Sequence, residues 1–154
     1  MLTYRRIDSE VNYARIVWNR EAEAPQWFID ASKIWHQSYY SFLNFWAHDC
    51  QEIYGLFRGE ALVSVVYLQF ESSHAVNIHI SVIGKVKRRE LVTFFQSLKN
   101  QKAAEGVSVM TGWLLDRNRH LRSIAQDAGF YPTGLVMAYG QSRGKMLRWR
   151  QVRA

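Results

Sequence analysis

The chain has little of what marks secreted, metal-binding and membrane-spanning proteins. Its 154 residues include a single cysteine, Cys50, so no intramolecular disulfide can form, which suits a reducing compartment. Residues 1–6 lack the apolar run of a signal peptide. The longest apolar stretch, residues 61–68, is far shorter than the roughly 20 residues that span a bilayer. We therefore expect a cytoplasmic protein without membrane contact, or one inside a virus particle.

Metal-ligand spacing is also missing. The five histidines and the one cysteine form no zinc-binding or other ligating pattern, so the sequence predicts no metal site.

Positive charge, in contrast, is in excess. Lysine and arginine number 20 against 13 acidic residues, which gives a formal net charge of +7. This balance favours anionic partners such as nucleic acid, phosphate-bearing cofactors or acidic proteins. Nucleic acid has only weak support, because no nucleic-acid-binding motif accompanies the charge. The basic C-terminal residues either protect a solvated edge strand from pairing or contact an anionic partner; they are Arg143, Lys145, Arg148, Arg150 and Arg153.

Hydrophobic periodicity predicts a single α/β (α+β) domain over residues 1–154, with a mixed, mostly antiparallel sheet flanked by helices. The predicted strands are 2–7, 52–57, 61–70, 76–83, 107–115, 130–139 and 145–152. The predicted helices are 10–20, capped by Asp8 or Ser9, then 27–46 with a kink around residues 38–41, a third that ends at Gly106, and 119–128.

An aromatic stripe runs along the second predicted helix at helical spacing. Phe28, Trp35, Tyr39, Phe42 and Trp46 are its main members. Such a stripe packs into a core or lines a substrate groove, and periodicity does not choose between the two.

The last third of the chain carries the most specific motif. An apolar strand is followed by Asp116-Arg117-Asn118 and by a short helix that closes in Asp127-Ala128-Gly129-Phe130. With the order of elements, this resembles the GNAT (Gcn5-related N-acetyltransferase) superfamily over nearly the whole chain. The resemblance implies the GNAT fold, acetyl-CoA as cofactor, an N-acetyltransferase activity and an acyl acceptor that the sequence does not name.

The resemblance also implies where acetyl-CoA would bind. In that family the strand before the main helix ends in a loop whose backbone N–H groups bind the pyrophosphate. The usual Arg/Gln-x-x-Gly-x-Gly/Ala pattern is absent here. Either four basic side chains replace the glycine contacts by charge, or they form a solvated helix start. The implied cofactor-binding residues are Val82, Ile83, Gly84, Lys85, Val86, Lys87, Arg88, Arg89 and Asn118.

Individual roles follow from the same resemblance. A backbone N–H at Val82 or Ile83 would polarise the thioester carbonyl, and Asn118 would contact the cofactor, cap a helix, or do both. The family's general-acid tyrosine falls at Ala125, where this sequence has no hydroxyl.

Two residues are candidates for the catalytic base that deprotonates the acceptor amine. His79 lies on the predicted strand that leads into the loop, and histidine titrates near neutrality. Glu71, at the end of the preceding strand, could act through water. Each also has an ordinary interpretation, His79 as a packed strand residue and Glu71 as a turn residue.

A second function fits the same residues. The chain is also similar to small head or internal virion proteins of short-tailed phages, through Gly84 to Arg88 and His120. That similarity implies a non-catalytic member of the fold, acting in virion assembly or partner binding with other phage proteins.

Overall fold

The computed structural model describes residues 2–23, 38–115, 118–139 and 142–150. Its strands are β1 (Leu2–Arg6), β2 (Glu52–Arg58), β3 (Ala61–Phe70), β4 (Ala75–Val82), β5 (Val109–Leu115), β6 (Tyr131–Tyr139) and β7 (Ser142–Arg150). Its α-helices are α1 (Asn12–Glu23), α2 (Tyr39–Asn44), α3 (Arg88–Ala104) and α4 (Arg119–Asp127), and a π-helix covers Phe45–Asp49. The predicted class, a mixed and mostly antiparallel sheet with helices, is confirmed. Within the described ranges, no helix combines the length and the apolar character needed to cross a membrane.

The chain forms two compact units that share strand β4. The first unit comprises Met1–Gln69 and His79–Val86. Its strands run in the order β1, β2, β3 and the second half of β4. The β1–β2 pair is antiparallel from Leu2↔Arg58 to Arg6↔Tyr54. The β2–β3 hairpin turns at Gly59, whose φ of +61° is a conformation that glycine adopts without strain.

Aromatic side chains form the core of this first unit. Phe42, Phe45, Trp46 and Tyr67 have no solvent exposure, and the Trp46 and Tyr67 rings lie 5.7 Å apart between centroids in an edge-on contact. The core interpretation of the stripe is therefore confirmed for Phe42 and Trp46. The earlier members, Phe28 and Trp35, lie outside the described residues.

The kink predicted around residues 38–41 of the second helix falls at Ser38, where helical geometry is interrupted. This residue is extended (φ −146°, ψ 161°), and its hydroxyl accepts a hydrogen bond of 3.1 Å from the N–H of Ser41. A serine with this geometry is an N-cap, so α2 begins here as a separate helix.

The second unit comprises Phe70–Ile78 and Lys87–Ala154. The first half of β4 pairs in parallel with β5, from Ala75↔Val109 to Ile78↔Gly112. Strand β7 pairs antiparallel with β5 on one side and with β6 on the other. The interpretation of the basic C-terminal segment as an edge strand is therefore wrong, because β7 is an inner strand of this unit.

The α4 helix ends as its sequence predicts. Gly129 has φ +100°, its N–H donates to Gln126 O at 3.0 Å, and Phe130 N–H donates to Ala125 O at 3.0 Å. This pair of bonds is a Schellman motif, which needs a residue with positive φ at the glycine position. Phe130 is thereby turned into the core, where its ring contacts Phe95 of α3.

Asp8 does not cap α1, contrary to the prediction. Its Oδ1 accepts from the backbone N–H of Ile53 at 3.1 Å and from Arg6 Nε at 2.6 Å. The Arg6 hydrogen bond, with help from the Ile53 N–H, holds the pKa of Asp8 below its usual value. The carboxylate thus fastens the end of β1 to the start of β2.

We expect Asp8→Ala to lower the free energy of unfolding by about 1 kcal/mol at pH 7, because the pair is partly exposed and screened. The depressed pKa gives the sign of the pH dependence. The contribution is complete above the unfolded carboxyl value near 4 and is lost as the pH falls through the folded value. Urea denaturation at pH 7 and pH 3 measures this, with Glu60→Ala in the exposed turn as control. A deficit as large at pH 3 as at pH 7 would contradict the assignment.

Candidate functional site at the end of β4

The end of β4 is fastened to β3 through one carbonyl. In the first unit, Val63 O accepts from the N–H of Ile83 and from the N–H of Gly84, both at 3.0 Å. Val82 is the last residue of β4, and successive N–H groups within an extended strand alternate between its two edges. From the Ile83 bond to β3 we therefore infer that the N–H of Val82 points away from β3. The Ile83 amide is thus engaged within the sheet. Of the two amides predicted to polarise a thioester, Val82 is the one directed to the other edge.

Gly84 allows this close approach. A Cβ at this position would lie 3.0 Å from Val63 Cγ1 and 3.3 Å from Val63 Cα. The Gly84 backbone is exposed, yet it lies against β3 where a side chain would collide. Gly84 therefore allows the end of β4 to pack closely on β3, and this role is independent of any ligand.

The start of α3, in the second unit, is capped by a side chain of the helix itself. Glu90 Oε1 accepts from the N–H of Lys87 at 2.8 Å, and the first turn of the helix closes with Glu90 N–H bonded to Lys87 O at 3.0 Å. A carboxylate here complements the positive end of the helix dipole. The N–H groups of Arg88 and Arg89 precede that first turn and belong to the set that a helix leaves for caps, water or ligands.

The four basic residues of this segment have different environments. Arg88 donates to Asp127 Oδ2 and, at 2.8 Å, to Ser123 Oγ, so it ties α3 to α4. Lys85, Lys87 and Arg89 are exposed, and the Lys85 carbonyl accepts from Arg58 at 3.2 Å in the first unit. Arg88 is thus engaged within the second unit, whereas Lys87 and Arg89 of that unit and Lys85 of the first unit are exposed.

The predicted base His79 is half-buried on the face of β4 that packs on the aromatic core. Its Nε2 lies 2.6 Å from Gln69 Oε1, and its ring meets the Phe45 ring edge-on at 5.7 Å. Because an amide oxygen only accepts, Nε2 carries the proton and Nδ1 has the lone pair.

The other predicted residues are placed in the second unit. Glu71 is exposed, and its Oε1 accepts from Asn77 Nδ2 at 2.7 Å. Asn118 caps α4, since its Oδ1 accepts from the Leu121 N–H at 3.2 Å. Ala125, where the related family has its tyrosine, is buried in α4.

The predicted residues are thus divided between the two units. The first unit holds His79, Val82, Ile83, Gly84, Lys85 and Val86, and the second holds Glu71, Lys87, Arg88, Arg89 and Asn118.

Sequence reasoning missed two polar residues next to Val82. Glu21 of α1 has no solvent exposure and accepts a hydrogen bond from the hydroxyl of Ser81, which is itself 1% exposed. The sequence does carry a signal for the burial of Glu21, because Ala14, Val17 and Glu21 share the i, i+3, i+7 spacing of one helix face. A glutamate on an apolar face indicates a carboxylate that is buried.

Solved structures with similar architecture cover almost the whole chain. An acetyltransferase of the GNAT family from Streptococcus pneumoniae superposes with a TM-score of 0.71 at 14% identity, over 97% of this chain and 99% of that one. The chain has the GNAT fold.

Two further GNAT-fold neighbours have named acceptors. The Salmonella typhimurium acetyl transferase that modifies the N-terminal serine of the 50S ribosomal subunit protein L7/L12 matches with a TM-score of 0.73 at 11% identity, over 98% of this chain and 95% of that one. The aminoglycoside enzyme AAC(6')-Ib, solved with ribostamycin and coenzyme A, matches with a TM-score of 0.73 at 9% identity, over 97% and 93%. No protein-family model and no curated protein sequence matches the chain.

We expect Gly84→Ala to lower the free energy of unfolding by about 1–3 kcal/mol, because the added methyl collides with Val63. The double variant Gly84→Ala with Val63→Ala removes the nearest atom, Cγ1, and should recover part of the loss. A double-mutant cycle by urea denaturation measures the coupling. Additive single and double effects would contradict the contact.

Proposed function

We propose that the chain is an acyl-CoA-dependent N-acyltransferase that moves an acetyl group to an amine. The observation that carries this proposal is the end of β4, where Val82 directs its N–H away from β3 and a basic helix start follows along the chain. The coenzyme A held by the AAC(6')-Ib neighbour supports acetyl-CoA as the donor.

The residues present fit a phosphate-bearing donor. In the second unit, Lys87 and Arg89 offer two exposed cations, and the N–H groups of Arg88 and Arg89 stand at the positive end of α3. In the first unit, Lys85 is exposed. Asn118 can contribute its amide N–H₂ while its Oδ1 caps α4. The Glu90 carboxylate at the Lys87 N–H works against an anion there, so the lysine and arginine side chains supply the larger part of the attraction.

Acetyl-CoA supplies an activated thioester carbonyl when bound. The chain's own part is to donate a hydrogen bond to the carbonyl oxygen, for which the Val82 N–H is placed at the strand edge. The acceptor amine forms a C–N bond with the carbonyl carbon as the C–S bond of the thioester breaks, and CoA leaves as a thiolate that takes a proton from solvent. A protein base must also take a proton from the acceptor amine. Of the two candidates we propose His79, because it lies on the same strand as Val82, whereas Glu71 lies in the turn before that strand.

A non-catalytic role for the fold, as a binding or assembly module, is the second candidate. Two observations favour it: the buried Ala125 at the position of the general-acid tyrosine, and the use of Arg88 in a structural ion pair with Asp127. Binding of the acyl donor separates the two functions, since an assembly module has no need of it.

Calorimetric titration with acetyl-CoA should give binding in the micromolar range that weakens as salt is raised. We expect Lys87→Ala combined with Arg89→Ala to weaken this binding roughly tenfold, because each removes one charge–phosphate contact. Arg20→Ala, an exposed arginine of α1, is the matched control and should leave the affinity unchanged. A well-folded protein that binds neither acetyl-CoA nor CoA at low salt would overturn the transferase.

Arg88→Ala should behave differently from its neighbours. Because Arg88 bonds Asp127 and Ser123, its loss should lower the free energy of unfolding by up to about 1 kcal/mol, as for other exposed pairs. Its effect on acetyl-CoA affinity should stay within about threefold. Thermal unfolding and the same titration measure the two effects, and a larger loss of affinity than in Lys87→Ala with Arg89→Ala would contradict this division of roles.

A further inference from the structure

A buried carboxylate lies directly behind the strand end that carries Val82. Glu21 belongs to the buried face of α1 with Ala14 and Val17, and none of the three is exposed to solvent. An ionised group out of water is costly unless it is hydrogen-bonded. The contacts of this carboxylate therefore decide what it does.

Its described contact is with β4. Glu21 Oε1 accepts from the hydroxyl of Ser81, and the carbonyl of Ser81 accepts from Ser64 Oγ of β3 at 2.9 Å. Ser81 is thus held by its side chain from α1 and by its backbone from β3.

The residues on the other side of Val82 are held as well. Ile83 and Gly84 both donate to Val63 O, and Gly84 packs on Val63 without room for a side chain. Val82 therefore lies between two fixed neighbours. The orientation of its N–H follows from theirs.

We propose that Glu21 and Ser81 are positioning residues, which hold the end of β4 so that the Val82 N–H is aimed at the acyl carbonyl of the donor. This inference rests on the proposed function, since it concerns the same donor. Glu21 and Ser81 thereby have a role beyond packing in the core. Neither residue touches the donor; both act through the backbone.

The proposal predicts different affinities for acetyl-CoA and CoA, because CoA lacks the acetyl carbonyl. We expect the wild type to bind acetyl-CoA roughly three- to tenfold more tightly than CoA, the range for one net hydrogen bond. In Ser81→Ala and Glu21→Ala the two affinities should become equal, with the CoA value changed by less than about twofold. Glu21→Gln keeps an acceptor oxygen at the same place and should keep the preference.

The carbonyl can be observed directly. Infrared spectra of acetyl-CoA labelled with ¹³C at the carbonyl should show its stretch shifted to lower frequency when bound to the wild type and to Glu21→Gln. The shift should be absent in Ser81→Ala. A role in folding alone would lower the thermal midpoint but would leave this band unchanged. The matched control is Glu23→Ala, an exposed glutamate two residues along α1.

The outcomes are distinct. A wild type that binds neither compound overturns the proposed function, and this inference with it. A wild type that binds both equally, with an unshifted band, keeps the donor site and overturns the positioning role. Ser81→Ala with the preference and the shift intact also overturns it. If Glu21→Ala does not fold, Ser81→Ala and Glu21→Gln carry the test, since each preserves most of the packing.

Discussion

The carbonyl of Val63 is the contact on which the candidate site depends. It takes the N–H groups of both Ile83 and Gly84, which ends regular pairing of β4 and fixes which way the preceding amide points. Only a residue without Cβ fits against Val63 at the second of these positions. This register directs the hydroxyl of Ser81 to α1 and the N–H of Val82 to the edge of β4 opposite β3. One backbone acceptor thereby determines the arrangement of four consecutive residues.

Charge at the start of α3 is organised by two opposing demands. The positive end of the helix dipole favours an anion, and Glu90 supplies one to the Lys87 N–H. The same segment carries cations, which the dipole opposes. Arg88 forms an ion pair with Asp127. Lys85, Lys87 and Arg89 are exposed, and no ion pair with a carboxylate is seen for them among the described residues. Phosphate oxygens satisfy both a helix dipole and lysine or arginine side chains, and this chemistry is the basis on which the donor site is proposed.

Local patterns predicted most of the fold, because the elements are set by short-range chemistry. The spacing of Leu91 and Phe94 and the glycine before Phe130 give α3 and the end of α4 correctly. Failures arose where a distant residue competes. Asp8 does not cap α1, because the distant Ile53 and the neighbouring Arg6 bond its carboxylate. The break at Ser38, in contrast, is local, since its hydroxyl caps the N–H of Ser41 within the range of the predicted kink. The site was predicted as a segment, but which amide faces outward depends on the β3 register, and that is a tertiary property.

Glu21 bears on whether the fold is catalytic. A residue whose only task was to fill the face of α1 behind β4 would be most stable as an apolar side chain, since replacing buried charge by hydrophobic groups is often neutral or stabilising. The carboxylate at this place is compensated by Ser81, next to the one amide directed away from β3. An assembly module gains nothing from a stiff strand end at that amide. A transferase does, because a hydrogen bond to a developing oxyanion is worth most when its donor is already in place. A buried Glu21 bonded to Ser81 is what the proposed transferase predicts at this strand end, even though Ala125 offers no hydroxyl to the leaving thiolate.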